Sequence, residues 1–71
     1  YAVEQRLRFI DCMLVYYGKC GRNEITDFFG IGEATATRDF QAYKEVAPNN
    51  LSYDVSEKTY VRTGVFSRVY Q

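Results

Sequence analysis

The chain has 71 residues, enough for one domain whose small core supplies only a few kcal/mol of net stability. A hydrophobic share of 46%, with five Phe and seven Tyr, excludes a disordered polymer, and no apolar run approaches the ~20 residues of a membrane span. Nine Lys plus Arg balance nine Asp plus Glu, so the net charge is zero and a uniformly basic surface is excluded.

From Val3 to Tyr17, the apolar residues Val3, Leu7, Ile10, Leu14 and Tyr17 recur at spacings of four, three, four and three. That spacing predicts an amphipathic helix with these side chains on one face. Met13 widens the stripe, and Arg6, Arg8 and Asp11 are expected on other faces. Gly18 follows directly and suits a left-handed C-terminal cap. The first residue is Tyr1 rather than Met, close to this helix start, so the sequence is expected to be a fragment of something longer.

"KCGRNEITDFF" predicts a second, shorter helix capped by Gly21 or Asn23, with Glu24 facing the positive end of its dipole. Ile25, Phe28 and Phe29 form its apolar stripe, and Gly30 ends it. A third helix is expected from Gly32 or Glu33 to about Val46, with Ala36, Phe40, Tyr43 and Ala47 inward. Pro48 stops it, because proline cannot continue a helix and restricts its predecessor. "PNN" is then a turn. Strands at about 51–54 and 58–62 follow, joined by the polar loop "DVSEK". Beyond them, Val65, Phe66, Val69 and Tyr70 either return to the core or meet a neighbour.

Helix, helix, glycine turn, helix and hairpin are the order of a winged helix-turn-helix, a mainly α fold with a small β-hairpin. A residue with positive φ at position 30 lets the chain turn sharply without a Cβ clash, which favours glycine there. Ile31 plugs the turn, Gly32 takes the N-cap place, and Ala36 is small enough for a close helix crossing. The start of the third helix then offers Glu33, Ala34, Thr35, Thr37, Arg38 and Gln41. Threonine hydroxyls can donate to phosphates and their methyls can meet thymine, while Arg38 can reach guanine or backbone. Arg22, at the start of the second helix, can clamp a phosphate.

Each of these residues also has a plainer reading. Glu33 complements the helix dipole as well as it would accept from cytosine. Arg38 can pair with Asp39 or Glu45, Lys58 can simply be solvated, and Tyr53 and Tyr60 can pack the hairpin. The order along the chain is what favours DNA over these alternatives.

The stretch from "RLRFID" through "FGIG", "ATATRDF" and "APNNLSYDVSEKTYV" resembles the N-terminal winged helix-turn-helix of WYL-domain transcriptional regulators. The similar branch is the BrxR/CapW type, which controls bacterial phage-defence operons. The resemblance covers nearly the whole chain, and "APNNLSYD" with "K.YV" is its specific part. It implies a cytoplasmic repressor binding a palindromic operator in double-stranded DNA as a homodimer, with a ligand-sensing C-terminal region outside this sequence. It places Thr35, Thr37 and Arg38 on the recognition helix and Ser56 to Lys58 on the wing. Gly32 departs from the family's usual Ser, and Thr35 from its usual Gln, which leaves sequence preference open.

Zero net charge weighs against DNA, because non-specific affinity comes mostly from phosphate neutralisation. Spatial separation would answer this if Arg22, Arg38, Lys44, Lys58 and Arg62 share one face while Glu4, Asp11 and Asp27 face away. A winged helix used for dimerisation or protein contacts, without DNA, is the competing expectation, supported by the tyrosine content. Catalysis is not expected: there is no histidine, no activated nucleophile, and no phosphate loop or cofactor motif. No cofactor or metal is expected either. Cys12 and Cys20 are read as reduced thiols, with a disulfide between them as the alternative.

Overall fold

The computed structural model describes residues 2–70. The elements run α1 (Val3–Tyr17), β1 (Lys19–Cys20), α2 (Arg22–Phe29), α3 (Glu33–Val46), β2 (Leu51–Asp54) and β3 (Thr59–Arg62). All three expected helices and both hairpin strands are present. The strands pair antiparallel, with Leu51 opposite Arg62 and Tyr53 opposite Tyr60. β1 was not expected. It adds a third strand to the outer side of β3, with Cys20 opposite Tyr60.

The glycines behave as their positions require. Gly18 and Gly30 end α1 and α2 in the left-handed region, at φ 75° and 67°, and each N–H closes on a carbonyl four residues back. Gly21 caps α2, and the Glu24 carboxylate accepts its N–H at 2.7 Å, so the first-turn acid serves the backbone directly. Gly32 begins α3 with extended φ and makes no side-chain cap.

The core holds Leu7, Ile10 and Leu14 from α1, Ile25 from α2, and Ala36, Phe40 and Tyr43 from α3. Cys20 and Leu51 close it from the sheet. The ends of the expected stripe on α1 stay outside: Val3 and Tyr17 are exposed. Phe28 is exposed as well, its ring stacked on Phe9 at 4.7 Å, while Ile25 alone of α2 is buried.

Polar residues fill places that the periodicity assigns to apolar ones. Arg6 and Asp11, expected on outer faces of α1, are buried. Arg6 Nε donates to the Asp39 carboxylate of α3 at 2.6 Å, a buried ion pair between helices 33 residues apart in sequence. The Asp11 carboxylate accepts from the Tyr43 hydroxyl at 2.5 Å and from the backbone N–H groups of Val69 and Tyr70. Asn50 donates to the Tyr43 hydroxyl and to the Ser67 carbonyl, and accepts the Ser67 N–H. The tail therefore returns to the core, bringing Phe66, Val69 and Tyr70 against it, while Val65 stays exposed. Burial, then the bond to Asp11, push the Tyr43 phenol well above its usual range.

Candidate nucleic-acid interface

Helix geometry sorts the side chains of α3 into three directions. At 3.6 residues per turn, Ala36, Asp39, Phe40 and Tyr43 point inward, and all four are buried. Ala34, Arg38, Gln41 and Glu45 share the opposite face and are exposed. Thr37 and Lys44 lie on the flank toward the sheet, and Thr35 lies on the other flank, about 160° around the helix from Thr37. The two threonines are both half-buried, and α3 does not present their hydroxyls in one direction.

The wing-side flank is tied to the rest of the fold. Arg22 Nη1 makes a long, weak hydrogen bond to the Thr37 hydroxyl at 3.4 Å, so the start of α2 reaches over the start of α3. Lys44 sets its amine 5.9 Å from the centre of the Tyr60 ring, and that ring stacks on Phe40 at 4.2 Å. Arg38 and Gln41, by contrast, make no hydrogen bond or ion pair among the described residues. The sequence-level alternative for Arg38 is not realised, since Asp39 turns inward to Arg6.

At the hairpin, Ser56 and Lys58 are exposed in the turn between β2 and β3. Lys58 takes positive φ, 55°, and the turn is held by the Asp54 carboxylate accepting the Glu57 N–H. An open cleft of about 540 Å³ between the hairpin and α2 brings Arg22 and Lys58 together with Lys19, but Glu24 and Glu57 line the same walls. The positive groups there are thus partly offset.

Charge separation is less complete than expected. Arg62 does not join Arg38 and Lys44: its guanidinium donates to the carbonyls of Leu14 and Val15, where it complements the negative end of α1. Asp11 is interior rather than turned away on a surface. Glu4 does lie elsewhere, paired with Arg8 one turn along α1 at 3.0 Å. Arg22, Arg38, Lys44 and Lys58 remain as the exposed cations of α2, α3 and the hairpin turn.

Both cysteines are free. Cys12 is exposed and Cys20 is buried, so the alternative of a disulfide between them is not realised. Burial and then nearby Glu24 push the Cys20 thiol up to about 12, which keeps it protonated and inert. No group of His, Cys, Asp and Glu among the described residues is arranged to hold a metal ion. Among the described residues, no helix is long and apolar enough to cross a membrane.

Two helices joined through a left-handed glycine, with a hairpin packed beside the second, define a winged helix-turn-helix domain. The comparisons with known proteins place it further. The model of the BrxR transcriptional regulator winged helix-turn-helix domain matches residues 2–71, and the chain belongs to that family. It is 45% identical over 67 residues to the DNA-binding transcriptional repressor CapW of Escherichia coli (strain KTE188). It is 40% identical over 67 residues to the repressor of the same name from Pseudomonas aeruginosa, and 35% over 65 residues to that of Stenotrophomonas maltophilia. These matches take in 92–94% of this chain but only 22% of each relative, so the chain spans about a fifth of their length.

Proposed function

We propose that the chain is the sequence-specific DNA-binding domain of a bacterial transcriptional repressor. α3 enters the major groove, and the hairpin lies on the flanking backbone. The observation that carries this reading is the outward face of α3, where Arg38 and Gln41 have no partner within the described residues. That face follows directly on the Gly30 turn. The relatives' names as DNA-binding transcriptional repressors support it.

Arg38 and Gln41 read base edges, and Thr37, Lys44 and Arg22 hold one wall of the groove. Thr35 reaches the other wall, and Ser56 and Lys58 touch the backbone from the hairpin turn. With zero net charge, one copy binds weakly. Useful affinity then needs a homodimer on a palindromic operator, its half-sites about one helical turn apart. The site of action is the cytoplasm, and the regulated genes are phage-defence operons. Residues 1–71 act as the winged helix-turn-helix unit of a longer regulator.

Titration of labelled operator duplex with wild-type chain and Arg38→Ala, at several salt concentrations, tests this. Loss of an arginine–guanine contact lowers affinity about tenfold or more and relaxes preference at one base position. Unchanged affinity in a folded variant contradicts the reading. A second reading, self-association without DNA, is favoured by the exposed Phe28 ring stacked on Phe9. It predicts concentration-dependent dimerisation with no salt-dependent duplex binding.

A further inference from the structure

Tyr53 packs the hairpin as expected, through an edge contact with its cross-strand partner Tyr60, and still leaves part of itself in solvent. Its ring meets Tyr60 at 4.9 Å and 65°, and the residue is 41% exposed. Its hydroxyl makes no hydrogen bond among the described residues. The contrast with Tyr43 is direct: that hydroxyl is buried, donates to Asp11 and accepts from Asn50. The Tyr53 hydroxyl is thus left available to an outside acceptor, while its ring is held by the hairpin.

The position of Tyr53 is fixed through a short aromatic series. Phe40 of α3 stacks on Tyr60 of β3, and Tyr60 takes the edge of Tyr53 on β2. Lys44, one turn beyond Phe40 on α3, sits over the same Tyr60 ring. Tyr53 and Lys44 therefore flank one ring from two elements, at the junction of hairpin and helix. The hairpin tip offers only a limited backbone contact by itself, since its exposed residues are Val55, Ser56, Glu57 and Lys58, with one acid against one base.

We propose that the wing meets the DNA backbone at its base as well as at its tip: the Tyr53 hydroxyl donates to a phosphate, and Lys44 lies beside it as the neutralising cation. The inference rests on the reading of α3 as a groove-binding helix. The chemistry is ordinary, because tyrosine hydroxyls and lysine ammonium groups are both common phosphate donors, and such contacts fix orientation rather than sequence. The stack on Phe40 would then set the wing's height relative to α3.

The test uses a mixed-sequence duplex, with binding followed by fluorescence anisotropy at several salt concentrations for wild type, Tyr53→Phe, Lys44→Gln and Arg38→Ala. Tyr53→Phe keeps the ring, so the melting midpoint is expected to stay near wild type. Its affinity should fall about three- to tenfold on every duplex, as for one lost hydrogen bond, with the salt slope unchanged because a hydroxyl carries no charge. Lys44→Gln should lower that slope by about one. Replacing flanking phosphates one at a time by methylphosphonate should find one position where wild type and Tyr53→Phe bind alike. Wild-type binding with Tyr53→Phe indistinguishable from it, while Arg38→Ala is weakened, overturns this inference and leaves the DNA reading intact. Absence of any salt-dependent wild-type binding overturns both.

Discussion

Arg38 and Asp39 are neighbours in sequence and opposites in circumstance. Asp39 is 2% exposed and its carboxylate is held by Arg6, whereas Arg38 stands in solvent with no partner among the described residues. The same division runs through the molecule. The interface between α1, α3 and the tail is a closed polar network in which Asp11, Tyr43 and Asn50 satisfy one another and the backbone of Ser67, Val69 and Tyr70. No buried side-chain nitrogen or oxygen among the described residues lacks a hydrogen bond. The outer face of α3 is polar without any such closure. Polarity used for folding is internally complete, and polarity left incomplete at a rigid surface is available to a ligand.

The largest expected effect comes from opening the closed side. Asp39→Ala leaves the buried Arg6 guanidinium without its carboxylate, and breaking a buried pair in this way costs about 3–5 kcal/mol. For a domain of this size that is a large part of the total, so urea denaturation should show a mostly unfolded chain. Asn50→Ala removes bonds to the Tyr43 hydroxyl and to both backbone groups of Ser67, and should cost about 1–3 kcal/mol. Hydrogen exchange at residues 67–70 should rise along with it, since those bonds tether the tail. Arg38→Ala sharpens the contrast from the other side: its stability should stay within about 0.5 kcal/mol of wild type while DNA affinity falls. Gly32→Ser is the smallest change. Nothing lies within 4 Å of a Cβ there, so a serine cap fits and should add a few tenths of a kcal/mol to the midpoint stability.

Much of this was legible from local chemistry. The bounds of α1 and α3, the left-handed Gly18 and Gly30, the stop before Pro48 and both hairpin strands follow from periodicity and turn residues alone. β1 was not legible, because two residues carry too little propensity to announce a strand whose pairing is with β3, some forty residues on. The buried polar groups were missed for a related reason. Arg6, Asp11 and Asp39 are charged, and composition argues for the surface unless a distant partner is known. A positional signal existed nevertheless: Asp11 lies four residues after Leu7 and three before Leu14, and Asp39 lies between Ala36 and Phe40 on the inward stripe. The candidate site divided in the same way. That α3 carries an outward polar face was readable, and so was the turning of Thr35 away from Thr37, which helical spacing alone dictates and the sequence reading missed. The turning of Arg62 to the end of α1 depended on packing.

The most direct measurement is a nuclear magnetic resonance titration of the isotopically labelled chain with duplex DNA, mapping which backbone amides move. The account predicts shifts concentrated on the first turns of α3, on Arg22 at the start of α2, and on the hairpin around Tyr53 and Lys58, with the Asp11–Tyr43–Asn50 network undisturbed. Shifts confined to the Phe9–Phe28 face of α1 and α2, or none at duplex excess in low salt, would contradict it.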